Sequence, residues 1–237
     1  MITTTNPSKA KTIFIFCATI ILGYALFIIP DVFFGVTKNN GGKAGINLLF
    51  IGLFQFFSIT ALLYGSLKIL KKDFAFIGLR FEHLKGDVLL GILFGAIWTL
   101  LQFLVLIPNT GGLNRLDIQG MVELYDGTFI GTISFIALGV IGGGITEELF
   151  NRGYFINVLT DVFKNPKIGL WFSVVLSILL FALGHMPSTA LDWFDILVPT
   201  LMYTILFIGT KRLTASIVAH GIYNMSAIIW VYMLYYQ

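Results

Sequence analysis

The sequence predicts an all-α membrane protein: one bundle of about seven spanning helices, or eight if the longest apolar run divides. Three observations lead there. Of the 237 residues, 57% are hydrophobic and only 11% are charged, and mean hydropathy is +0.90, whereas a soluble domain carries about 25% charged residues. The apolar residues come in blocks near the ~20 residues that cross ~30 Å of hydrocarbon. Most of the Lys and Arg residues lie between those blocks. Nothing reads as a soluble domain, a long linker, a low-complexity tract or an internal repeat. Residues 1–237 therefore form a single integral membrane domain whose solvent is the lipid bilayer.

The first run, 13–29, is longer than a signal-peptide core and has no small-x-small cleavage site after it, so it is read as a retained first helix. Further runs follow at 44–67, 88–108, 128–159, 168–185, 196–209 and 213–236. The fourth is too long for one crossing and must protrude, kink or divide. Gly142, Gly143 and Gly144 are the natural place for a bend or for close helix contact.

Charge sets the orientation. With the N-terminus in the cytoplasm, twelve of the 15 basic residues fall on the inner side. These are Lys9, Lys11, Lys68, Lys71, Lys72, Arg80, Lys85, Arg152, Lys164, Lys167, Lys211 and Arg212; Lys38, Lys43 and Arg115 fall outside. The split supports a multi-pass membrane protein with its N-terminus in the cytoplasm. A formal net charge of +3, spread over loops, gives no nucleic-acid surface. The one cysteine, Cys17, excludes an intrachain disulfide and a multi-cysteine metal site.

The core that bears chemistry runs from about 128 to 236. It opens with Ile-Thr-Glu-Glu-Leu-Phe-Asn-Arg-Gly-Tyr-Phe at 145–155, which sets two carboxylates and an arginine inside an apolar run. A charge near the bilayer centre costs roughly 2.5–3.5 kcal/mol on insertion scales, so such groups mark function by default. On a helix Glu148 and Arg152 are i,i+4, carboxylate first, and they pair. Glu147 is turned about 100° away and lacks that partner. Taken alone, the pair also reads as an interfacial salt bridge at a helix end. Phe181 and His185 are again four apart, as are His220 and Asn224. Alone, the first reads as a bonded helix-end residue and the second as an interhelical hydrogen bond.

Geometry links the three. Glu147 lies 19 residues before Pro166 and His185 lies 19 after it, so a helical hairpin turning there brings them level, ~28 Å from the turn. His220 and Asn224 stand ~12 and ~18 Å beyond the turn at Lys211 and Arg212. All four then meet in the cytosolic half of the bilayer if the first hairpin projects ~10–15 Å. A free carboxylate, two imidazoles and an amide fit activation of a water by Glu147, with His185 holding it. His220 and Asn224 would donate to the oxyanion. No Gly-x-Ser-x-Gly and no nearby cysteine offers a covalent nucleophile. A metal site of Glu147, His185 and His220 is the chemical alternative, although no His-Glu-x-x-His is present.

The motifs Glu147-Glu148-x-x-x-Arg152-Gly153, Phe181-x-x-x-His185 and His220-x-x-x-Asn224, in that order, resemble those of the CAAX protease and bacteriocin-processing family. This group, also called the Abi family, holds the type II CAAX prenyl endopeptidases and their bacterial relatives. The resemblance spans about 147–224 and implies a metal-independent intramembrane glutamate protease without cofactor. In it Glu147 is the base, His185 the water partner, and His220 and Asn224 the oxyanion site, with Glu148, Arg152 and Phe181 in support. It implies an endopeptidase acting near the cytosolic membrane face on a peptide or a membrane-protein tail. The compact chain looks like the bacterial branch, linked to bacteriocin or pheromone maturation or to bacteriocin immunity. Two other classes stay open: a non-catalytic membrane scaffold or immunity protein, and a small transporter using intramembrane Glu and His.

Overall fold

The computed structural model describes residues 7–236, all of it helix and connection with no strand among the described residues. Seven helices are long and apolar enough to cross a membrane. They are α1 (Lys9–Thr37), α2 (Asn47–Ile69), α3 (Leu84–Asn109), α4 (Phe129–Thr160), α5 (Pro166–Gly184), α6 (Ala190–Thr210) and α7 (Thr214–Tyr236). A short helix, Leu116–Val122, lies between α3 and α4.

Local sequence fixes the ends. Thr128 accepts from the Gly131 amide at the start of α4. Asn165 caps α5 ahead of a proline whose missing N–H costs nothing at the first helical position. Thr189 and Asp192 form a reciprocal capping box at α6. Large side chains such as Phe14, Ile21, Phe57 and Trp171 face outward, where lipid replaces water as their solvent.

The long fourth run neither divides nor breaks. Over Leu138–Ile156 it is wound wide, with i→i+5 bonding; more residues per turn shorten it relative to an α-helix, so no eighth helix arises. The Thr146 hydroxyl follows the same spacing, donating to the Ile141 carbonyl at 2.7 Å. Wide turns are rare and mostly single bulges, frequently at functional sites; here they run over 19 residues. The glycines serve contact rather than bending: a Cβ on Gly144 would lie 2.8 Å from Gly221 Cα of α7. Gly144→Ala is therefore expected to push α7 away and destabilise the protein by about 1–3 kcal/mol, measured as a lower unfolding temperature in detergent.

The two ends of the bundle differ in charge. Eleven of the 15 basic residues gather at one end, Lys38, Lys43 and Arg115 lie at the other, and Arg152 is buried between. At the Lys-rich end, Leu213 N–H donates to Gly78 O at 2.9 Å, Arg212 holds Asp87 and Lys72 pairs with Asp161. At the Lys-poor end Lys43 pairs with Asp31 at 2.8 Å. There Arg115 donates to Asp117, Asp195 and Thr110. Burial works against the Arg115 charge, but those bonds and the two carboxylates outweigh it and its pKa rises.

Candidate active site

Glu148 and Glu147 are neighbours in sequence with opposite surroundings. The Glu148 side chain is fully buried, with Arg152 Nη1 2.9 Å from its Oε1. His220 Nδ1 lies 2.9 Å from the same oxygen; a carboxylate only accepts, so Nδ1 carries the proton and donates. The Arg152 guanidinium sits 4.4 Å over the Phe181 ring and 5.8 Å from that of Tyr203. Tyr203 in turn stacks on His220 at 4.7 Å and 16°. Charge pairing, cation–π contact and stacking thus hold one imidazole in one orientation.

Glu147 stands at the edge of this cluster, with its side chain 24% exposed. It lines a cavity of about 200 Å³ together with Tyr24, Gln55, Asn151, Phe181 and His185. His185 caps the end of α5, and its Nδ1 donates to the Phe181 carbonyl at 2.9 Å, which leaves Nε2 free to face another group. The bond held by Glu148 turns the other face of His220 inward, so His220 Nε2 lies 4.0 Å from Glu147 Oε2. Asn224 bridges α7 and α4 by donating from Nδ2 to the Gly139 carbonyl at 2.9 Å.

Gly143 explains where these groups point. A Cβ there would fall 2.5 Å from Asn224 Nδ2 and 3.6 Å from His220 Nε2. The space kept by the missing side chain is shared by both polar groups. Gly143→Ala is expected to displace the Asn224 amide and lower turnover by about 10²–10³-fold, the cost of losing one oxyanion donor. Initial-rate measurements against the unsubstituted protein check this.

Residues 129–226 match the family model described as type II CAAX prenyl endopeptidase Rce1-like. This stretch is Rce1-like. It contains all seven residues singled out from the sequence. UPF0177 protein YbdI of Lactococcus lactis subsp. lactis (strain IL1403) is 36% identical over 105 residues, which is 44% of this chain and 52% of that protein. The chain thus spans about half the length of the curated relative it matches. No solved structure matches.

Beside the Rce1-like stretch, α1 and α2 complete the cavity. Tyr24, Phe27, Ile28 and Asp31 of α1 and Gln55 of α2 form one wall, and all five lie outside the matched residues. Sequence reasoning missed them, and it missed Tyr203 and the bond from His220 to Glu148. Asn151 alone had a local signal, standing four residues after Glu147; its amide donates to the Glu147 carbonyl at 3.0 Å.

Among the described residues no group of three or more His, Cys, Asp and Glu side chains could hold a metal ion. One expectation of position changes. The four residues were expected to meet in the cytosolic half of the bilayer, in a pocket beneath the inner leaflet surface. No residue of the connections at the Lys-rich end lines the cavity, whereas Asp31 and His185 lead from it toward the Lys-poor end. Helix-hairpin arithmetic gave the level at which the side chains meet. It carried no information on which end the packing leaves open.

Proposed function

We propose that the chain is an intramembrane endopeptidase in which Glu147 activates a water for attack on a peptide bond. The observation that carries this reading is the division of labour between adjacent carboxylates. Glu148 is committed to Arg152 and His220, while Glu147 stands on a cavity wall with His185 beside the same space. Glu147 takes a proton from water, and the water oxygen bonds to the scissile carbonyl carbon, with His185 Nε2 orienting the water. The carbonyl oxygen becomes an oxyanion over Gly143, within reach of Asn224 Nδ2 and His220 Nε2. With Nδ1–H given to Glu148, His220 donates from Nε2 only when that nitrogen carries a proton as well. The C–N bond then breaks, and Glu147 returns its proton to the leaving amine. The products are one carboxylate and one amine, and no covalent enzyme intermediate forms.

The substrate in this reading is a peptide or the tail of a membrane protein, of the bacteriocin- or pheromone-precursor kind that the motif resemblance implies. The protein works in the plasma membrane with its N-terminus inside, the orientation that the uneven basic residues favour. Purified protein in liposomes, given candidate precursor peptides and followed by mass spectrometry, tests the reaction. Asn224→Ala should lower the cleavage rate by about 10²–10³-fold. An unchanged rate in that variant would remove Asn224 from the oxyanion site. Exhaustive chelation is expected to leave the rate unchanged, and its loss with recovery on adding zinc would revive the metal mechanism.

A further inference from the structure

The structure leaves the candidate site open at one end of the bundle and seals it at the other. At the Lys-rich end the connection between α2 and α3 folds under α4. Leu213 N–H donates to Gly78 O, and Gly153 is so close to this segment that a Cβ on it would lie 3.0 Å from Ile77 O. Between that floor and the two carboxylates, Leu149, Phe150, Tyr154 and Phe155 are all buried. These side chains belong to one packed cluster with Phe16, Ile77 and Leu213, which fills the space between the Lys-rich end and the two carboxylates.

At the Lys-poor end the surroundings are the reverse. His185 is exposed, and the Met186 that follows it is 84% exposed. Besides the cavity it shares with Glu147, His185 lines a second space of about 390 Å³. Its other walls include Leu116 and Asp117, from the segment after α3, Met186 and Pro187, from the junction of α5 and α6, and Asp195 of α6. One imidazole therefore stands between the inner cavity and a vestibule built wholly at this end. Asp31, on the wall of the inner cavity, pairs with Lys43 of the connection between α1 and α2. The opening is thus flanked by the connections that hold only three basic residues.

Basic residues concentrate on the cytoplasmic side of short membrane-protein connections. We infer that the catalytic cavity is entered from outside the cytoplasm, past His185 and Met186. Its substrate is then a polypeptide segment lying on the outer side of the membrane, such as a peptide undergoing export. A prenylated tail presented in the cytoplasm would meet the sealed end. The word substrate rests on the peptidase reading; the direction of the opening does not.

Accessibility tests the opening without using activity. In a Cys17→Ser background, Met186→Cys and Lys164→Cys are each expressed in bacterial cells and treated with a membrane-impermeant maleimide. Met186→Cys should label in intact cells as fully as after permeabilisation, and Lys164→Cys only after permeabilisation. An unlabelled Met186→Cys in intact cells, or a labelled Lys164→Cys, overturns the inference. A second arm adds a cleavable precursor peptide to right-side-out and inverted vesicles, with cleavage expected only in the former. Cleavage confined to inverted vesicles again overturns the outward entrance. Absence of cleavage even in detergent rejects the peptidase reading, and the labelling pattern then decides the entrance by itself.

Discussion

Glu147→Gln is expected to lower peptide cleavage by about 10²–10⁴-fold, the usual contribution of a positioned general base, while leaving thermal unfolding unchanged. Glutamine keeps the shape and polarity of the side chain but does not take the proton from water at neutral pH. The site tolerates that exchange because the Glu147 side chain stands 24% exposed on a cavity wall and is not the partner that neutralises Arg152. Substrate affinity should survive, since the cavity walls of α1, α2 and α5 are untouched. Rate and binding measured on the same preparation separate this outcome from misfolding. Undiminished cleavage by the variant would remove Glu147 from the mechanism.

One residue along, the expected effect is of another kind. Glu148→Ala leaves the Arg152 guanidinium, 1% exposed, without its counter-charge. Removing one partner of a buried ion pair typically costs about 3–5 kcal/mol, because the remaining charge is stranded. The variant should unfold at markedly lower temperature in detergent or fail to accumulate in the membrane. Replacing both members with apolar side chains should recover much of that loss, without recovering activity, since His220 would no longer have a partner for Nδ1. A Glu148→Ala protein as stable as the parent would show that the pair does not support the fold. Two adjacent glutamates, one affecting rate and the other stability, form a contrast that a generic acidic patch would not produce.

Much of the scaffold was legible because bilayer thickness acts as a ruler. Apolar runs of the right length predict spans regardless of packing, and all seven are present. The pairing of Glu148 with Arg152 was legible for a similar reason, since four-residue spacing on a helix is local geometry. Wide winding over Leu138–Ile156 was not, because hydropathy does not distinguish a wide turn from an ordinary one. Nor was the bond from His220 to Glu148, which joins positions 72 residues apart. The separate use of Gly143 and Gly144, one facing His220 and Asn224 and the other packed on Gly221, depends on how α7 crosses α4. The wall contributed by Tyr24 and Gln55 depends on the packing of helices whose sequence is merely apolar.

The central proposition is that Glu147, His185, His220 and Asn224 serve one reacting carbonyl. A structure of the Glu147→Gln protein with an uncleaved peptide bound tests it most directly. The predicted result has the scissile carbonyl carbon facing the side chains at 147 and 185, with its oxygen over Gly143 and within hydrogen-bond reach of Asn224 Nδ2 and His220 Nε2. A peptide seated elsewhere on the bundle, or one whose carbonyl oxygen points away from Gly143, would contradict it.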